Sequence, residues 1–498
     1  MEPDEIDKMH QLKGIQWWFQ IFILVLCLLP LIPLWYFDYL PLQDYPNHFA
    51  RLNIISSYEY SDFYKKNFQI EFFKGISPLP YIALDVFVCK FLSFIDIDKA
   101  MRVFISLYII LYILSIYLLS EHFKQDFSLF LLINLPIIYS WFFHLGFLDF
   151  IFSIPLFLFS VWAVERYEMH KDKLSIFLIG FLSVFIYFTH IFTFFVFCIF
   201  LLCYLFTKRL NIREFICLIA LVASMFLILF LSIKFGLLGI PKTPINPPLE
   251  KLLGIFFIFF HLPGYFFITS SILFAFAIYL ILRNSSFQNK LYLVSSGAFL
   301  LVYMILPRVA YNVYVFMDVR ALLFSFILLP FSLQIKNNRY VKLAKVMLIA
   351  VFFVSFSWLL TSFSNFNKNF STKCAGQIEN RSTILPIDAV QSEEKIKQYS
   401  HSWGYFLKRR ELLTPYLFQH AHIPIKYKNK PSAPSEWWVI QGNMKEGKEF
   451  INTIRDTYDY ILLFGNDSEV EEMISPISYK ICSDGLVSLY KVGKDKNR

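Results

Sequence analysis

Apolar residues fall in long blocks along this chain. From residue 17 to residue 364 they recur between short polar breaks, and then the blocks stop. The pattern predicts helices at 17–37, 101–120, 127–141, 146–165, 174–189, 191–207, 214–235, 264–282, 290–307, 318–335 and 346–364. Several are shorter than the roughly 20 residues that cross a bilayer vertically. They are either extended by flanking aromatic residues or broken helices. Residues 79–95 look like a further span, but counting them as one would put the basic loops on the wrong side, and the segment is short and carries Asp85 and Lys90. They read as an amphipathic helix lying on the membrane surface, with Ser77 as cap and Pro78 at the first helical position. Beyond residue 364 the periods shorten. Ser382–Ile387 and Tyr460–Phe464 read as buried strands, Ser392–Arg410 and Ser468–Ile474 as helices, and Tyr479–Val492 as a hairpin around Asp484-Gly485. Ser468 with Glu471 has the form of a capping box.

The expected fold class is therefore an all-α polytopic membrane bundle of about eleven transmembrane helices with a small soluble α/β C-terminal domain. Its parts are an N-terminal segment 1–16, a membrane domain 17–364 that includes a loop 38–99 with interfacial helices, and a soluble domain 365–498. Composition agrees. Of the 498 residues, 57% are hydrophobic and 17% charged, against roughly 25% charged in soluble proteins. Disorder is excluded by the same numbers. The net charge of +9 comes from short basic loops: Lys171 and Lys173; Lys208, Arg209 and Arg213; Arg283 and Lys290; Lys336, Arg339, Lys342 and Lys345. Such loops belong on the cytoplasmic side. That orientation places the N-terminus inside and the loop 38–99 and the C-terminal domain outside. No basic helix or RNA-binding aromatic pattern points to nucleic acid. The seven Cys show no metal-ligand spacing. Cys374 and Cys482 fall in the outer domain, either as a bridge between its ends or as two separate buried thiols.

The chemistry-bearing stretch is Pro41-Leu-Gln-Asp-Tyr-Pro-Asn-His-Phe-Ala-Arg51, just after the first apolar block. Pro46 suits the first turn of a helix. Tyr45, Phe49, Leu52 and Ile55 then form an apolar stripe, and Asp44, His48 and Arg51 fall at i, i+4 and i+7 about 100° round from it. A carboxylate on that face can accept a proton from an acceptor hydroxyl, and a guanidinium can hold a phosphate bidentately. Alternatively Asp44 simply caps the helix. The same outer side collects His144 and Asp149 around Gly146, His190 at a hinge, His261 before a Leu-Pro-Gly turn, Arg308, and Asp318 with Arg320. The arginines bind a carrier phosphate, pair with Asp318, or reach to lipid headgroups.

This layout resembles the GT-C superfamily, the integral-membrane glycosyltransferases that take sugar from a polyprenyl-phosphate carrier. Members have a short cytoplasmic N-terminus, a first span, and a long outer loop with an acidic residue near its start. Further spans follow, often with an outer soluble domain. The family's loop carboxylate is its catalytic base, and Asp44 occupies that position. Ser77-Pro78-Leu79-Pro80-Tyr81 resembles the start of the family's second loop helix. Many members carry paired acids where this chain has Asp44-Tyr45, and the Asp-Tyr-Pro-Asn-His run looks closest to uncharacterised bacterial members. The resemblance implies an inverting glycosyltransferase on the outer face of a bacterial inner membrane, with the C-terminal domain periplasmic. Asp44 would be its base. His48, Arg51, His144, Asp149, His190, His261, Arg308, Asp318 and Arg320 would contact substrate. Its partners would be a polyprenyl-phosphate-linked sugar donor, a lipid, glycan or protein acceptor, and membrane lipids. No metal ligands are assigned, and a divalent metal remains open as cofactor. The alternatives are a non-catalytic cell-envelope assembly protein, or a lipid or sugar transporter, which would carry mid-span charges and inverted repeats.

Overall fold

A computed structural model describes residues 21–74, 77–208, 211–234, 251, 264–307, 309–310, 314–390, 397–418, 423–433 and 450–493. The described chain is mostly helical, with a small sheet near its C-terminus. Helices occupy the regions that the apolar blocks marked. Five of them, Ile97–His122, Phe127–His144, Leu148–His170, Tyr265–Arg283 and Arg339–Gln377, are long and apolar enough to cross a membrane. Phe177, Phe181 and Phe185 form an exposed stripe on the helix Lys173–Thr189. A surface of that kind suits hydrocarbon better than water.

Prolines set several helix ends. Pro30 and Pro33 interrupt the first helix, Ile21–Tyr36, with a 3-10 turn at Leu29–Leu31. Arg102 ties off its end. Its guanidinium donates to the carbonyls of Leu34, Phe37 (2.7 Å) and Asp38 (2.5 Å), and to Asp98 Oδ2 (2.8 Å). These carbonyls belong to the last turn of the helix and the residues after it, where helical partners run out. Pro330 ends the helix Met317–Leu328 early, so the block expected as 318–335 finishes in a 3-10 turn and a short strand, Leu333–Ile335. That strand pairs antiparallel with Ser285–Phe287.

The surface segment starts later than expected. Ser77 and Pro78 lie in a strand that pairs with Phe73–Lys74, so Ser77 caps no helix. Tyr81 takes φ +61, outside the helical region, and the helix begins only at Ala83, passing into a π turn at Phe87–Phe91. Two further corrections concern the C-terminal region. The described part of the expected helix 392–410 is a turn followed by a 3-10 helix, Ser402–Lys408. Six consecutive residues, Ser402–Leu407, are buried there, which an α-helix with one wet face cannot arrange. The helix Ser468–Ile474 is capped by Asp467, whose carboxylate accepts from Glu469 N (3.0 Å) and Val470 N (3.2 Å), rather than by Ser468.

The C-terminal sheet has strands β1 (Ser382–Asp388), β2 (Leu412–Leu413), β3 (Tyr460–Phe464), β4 (Ser478–Asp484) and β5 (Val487–Val492) in the order β4-β5-β3-β1-β2. β1 runs parallel to β2 and β3, and β5 antiparallel to β3 and β4. All five residues of β3 are buried. Tyr460, Leu462 and Phe464 join the large core that continues into the helices, while Ile461 and Leu463 face a second core under Val470, Ile474 and Tyr458. A strand covered on both faces reads as an unbroken apolar run.

Two contacts join this sheet to the helices. Cys374 and Cys482 form a disulfide, with Cα atoms 5.7 Å apart. At the hairpin tip, Gly485 at φ +61 would place a Cβ 2.4 Å from Asn369 O, so only glycine fits against the end of the last long helix. Alkylation of the denatured, unreduced protein is expected to label five of its seven cysteines, and all seven after reduction. Replacing the pair by serine should cost about 2–5 kcal/mol of C-terminal domain stability, read by thermal unfolding or hydrogen exchange.

Candidate functional site

The Asp-Tyr-Pro-Asn-His run sits between the turn at residues 144–146 and the C-terminal region. Gln43 N and Asp44 N donate to the carbonyls of His144 and Leu145, both at 3.0 Å. Gly146, at φ +74, lies so close that a Cβ would stand 2.8 Å from Tyr45 N. On the other side a Cβ on Gly404 would meet Pro46 O at 1.9 Å. Glycine at both positions lets the three backbones pack together. The helix Tyr45–Ser57 starts here. Tyr45 OH anchors it by donating to Asp98 Oδ1 (2.9 Å), the carboxylate that also holds Arg102.

Asp44 occupies the cap position without capping. Its backbone is helical (φ −92, ψ −11), and no hydrogen bond joins its side chain to the first turn. The carboxylate faces His401 instead, with Oδ1 3.7 Å from Nε2. Asp44 is 13% exposed and His401 10%. Burial pushes the Asp44 carboxyl up to about 8, against the pull of a hydrogen bond from the Gln43 side chain. Burial pulls His401 down to about 3, so its ring is neutral near pH 7.

Asn47 fixes the direction of that ring. Its Oδ1 accepts from Phe418 N (3.1 Å), and its Nδ2 donates to Tyr416 O (2.9 Å). With the amide so oriented, its second N–H points at His401 Nδ1 (3.3 Å), which must then be an acceptor. The network thus assigns the imidazole proton to Nε2, toward Asp44. Phe418 packs edge-on to both His401 (4.9 Å) and His48 (6.0 Å).

The three residues expected on one face of the helix have different surroundings. His48 is drawn toward Gly146, and burial, Arg51 and His401 hold its imidazole well below the usual range. Arg51 is turned to Asp85 in a bidentate pair, 2.8 Å from Nε to Oδ1 and 3.2 Å from Nη2 to Oδ2. At 2% and 0% exposure the two are wholly buried. This pair accounts for the charge of Asp85 inside an apolar segment, and it engages the guanidinium that was expected to meet a phosphate. Asp149 is buried nearby and accepts from Leu84 N (3.3 Å). His144 is buried in the turn that receives Gln43.

A second cluster forms around His190. Arg320 Nη1 lies 3.0 Å from His190 Nε2. Arginine only donates, so Nε2 accepts and the proton sits on Nδ1, 3.4 Å from Thr193 Oγ1. Thr193 then reaches Ser153 (2.6 Å), and Ser153 the carbonyl of Phe150 (2.6 Å). The Arg320 guanidinium lies over the rings of Phe147 (5.1 Å), one residue beyond the glycine that touches Asp44, and Phe150 (5.0 Å). Asp318 faces Lys251 at 3.6 Å, both fully buried. His261 and Arg308 lie outside the described residues.

Sequence reasoning missed Asn47, His401 and Lys251. Asn47 stands one helical turn after Asp44, a spacing that was available to use. Nothing local marks His401, which reaches the site from 354 residues beyond Asn47. Among the described residues no three His, Cys, Asp or Glu side chains converge as a metal site. No protein-family model matches the chain, and no curated protein matches it.

If Arg51 serves Asp85 rather than a ligand, Arg51→Met should cost about 3–5 kcal/mol by leaving a buried carboxylate uncompensated. The double variant Arg51→Met/Asp85→Leu should recover most of that loss. Unfolding midpoints of the four proteins in the cycle test this, and equal damage in the single and double variants would refute it.

Proposed function

We propose that the protein is an inverting membrane glycosyltransferase of the GT-C kind, using a polyprenyl-phosphate sugar at the outer face of a bacterial inner membrane. The observation that carries this reading is the Asp44 carboxylate. It spends no hydrogen bond on its own helix and faces a neutral imidazole whose direction Asn47 sets. Burial also raises its basicity toward that of an effective general base.

In the proposed reaction, Asp44 takes the proton of an acceptor hydroxyl as that oxygen attacks the anomeric carbon. The bond from that carbon to the carrier phosphate breaks, and polyprenyl phosphate leaves with the electron pair. One in-line displacement inverts the anomeric centre. His401, with its Nε2 proton turned toward the carboxylate at 3.7 Å, forms the neutral wall that Asp44 faces. The leaving phosphate needs a cation, and Arg320, next to the Phe147 turn, is the described residue suited to it. No step is routed through a metal. The bundle of about eleven spans and the outer placement of the C-terminal domain belong to the same proposal. The disulfide supports that placement, since such bonds persist in oxidising compartments.

A second reading, a non-catalytic envelope assembly protein, draws on the protein partners already held by Arg51 and Arg320. Asp44→Asn separates the two. It preserves shape and hydrogen bonding but cannot take a proton, so turnover should fall by about 10²–10⁴-fold with expression intact. Wild-type activity should climb as pH rises through about 8, where Asp44 ionises, and level off above. Stability has the opposite sign. A carboxyl raised in the folded state favours folding at low pH and loses that contribution between about 4 and about 8. Asp44→Asn should therefore gain stability relative to wild type as pH rises across that window. Full activity in the variant would remove Asp44 as the base, and absence of turnover in the wild type would move the function to the assembly reading. A reporter fused after Arg498 should be active only outside the cytoplasm, and cytoplasmic activity would overturn the topology.

A further inference from the structure

The helix Ile97–His122 connects two different ends of the molecule. Asp98, at its start, accepts from Tyr45 beside Asp44. Phe123, just past its end, lines a cleft of about 410 Å³. Twenty-five residues of helix separate them by roughly 38 Å, so this cleft is remote from Asp44. Its walls come from the places where several helices stop: Lys208 follows the helix Ile191–Thr207, and Lys290 opens the helix Lys290–Ile305.

We propose that this cleft binds an organophosphate group, carried by an anionic lipid. Lys208 and Lys290 line it, and among the described residues no carboxylate does. Lys290 is exposed and makes no ion pair among the described residues. The hold on Lys208 is loose. Its nearest acid atom, Glu168 Oε1, is 3.9 Å away, at the limit of ion-pair reach, while Lys171 (3.1 Å) and the Tyr204 hydroxyl (2.5 Å) hold Oε2 of the same carboxylate. Gln125 and Asn289 add side-chain amides to the lining, with Gln125 fixed by its bond to Leu333 O (3.3 Å).

Two ammonium groups and side-chain amides suit a phosphate, whose oxygens accept several donors at once. Phe123, Phe331 and Leu333 add apolar surface to the lining. The volume, at the small end of ligand pockets, fits a head group and leaves the chains to the apolar helix faces outside. Basic pockets between membrane helices hold lipid head groups in this way. The site does not depend on the reaction assigned to Asp44.

The test uses the full chain in nanodiscs containing phosphatidylglycerol and phosphatidylcholine, with retained lipids counted by native mass spectrometry. Wild type should keep phosphatidylglycerol, and Lys208→Gln/Lys290→Gln should lose it. Lys342→Gln, an exposed lysine outside the cleft, should keep it. A parallel arm heats delipidated protein with glycerol phosphate. A rise in melting temperature that needs both lysines, without lipid retention, would retain the phosphate chemistry and overturn the lipid source. Equal phosphatidylglycerol retention in wild type and the double variant, with no response to glycerol phosphate, overturns the site. If the double variant falls below the wild-type melting temperature, Lys290→Gln alone carries the comparison, because that side chain is exposed.

Discussion

The arrangement around Asp44 depends on one guanidinium. Where the first helix ends, the carbonyls of its last turn and of the residues after it lack helical partners, and Arg102 answers three of them from the neighbouring helix. An unmet carbonyl in an apolar bundle costs a kilocalorie or more, so this contact fixes where the chain leaves the bundle. Everything that follows is referenced to that exit. Asp98 neutralises Arg102 and accepts from Tyr45. Tyr45 begins the helix, and Asp44 precedes it by one residue. A buried charge, its carboxylate and a tyrosine hydroxyl thus set the register of the segment that carries the candidate base.

The polar groups of this region divide into closed pairs and an incomplete one. Arg51 with Asp85, and Lys251 with Asp318, place opposite charges side by side away from solvent. Such pairs stabilise little over an apolar filling, but they penalise any packing that separates them. Asp44 and His401 differ. At 3.7 Å they stand beyond direct hydrogen-bond length, and neither carries the charge that would bind the other. A carboxyl kept from water without a salt partner is a costly arrangement, and such arrangements concentrate at functional positions.

The helices were legible because their apolar blocks are long and prolines mark their breaks. β3 was legible too: both its faces are covered, so its run is unbroken. The sequence misleads where a local rule competes with a distant contact. Ser77-Pro78 has the grammar of a helix start, yet Phe73–Lys74 claims it as a strand. The Ser392–Arg410 stretch has helical composition, but Gly404 must press against Pro46, and a tight 3-10 turn results. For the candidate site, periodicity brought out Asp44 with His48 and Arg51. It could not tell that Asp85 would take Arg51 or that His401 would reach Asp44, because those choices are made by chain folding over long separations.

The 354-residue separation between Asn47 and His401 has a consequence for biogenesis. At roughly 5–20 residues per second of synthesis, Asp44 emerges on the order of half a minute or more before the imidazole that completes its surroundings. Through that interval Asp44 lacks the imidazole that it faces in the folded chain. The strand Phe68–Ile70 waits as well, since its partner Ile425–Tyr427 is made later still. The surroundings of Asp44 are thus complete only when the last third of the polypeptide has folded back over the first.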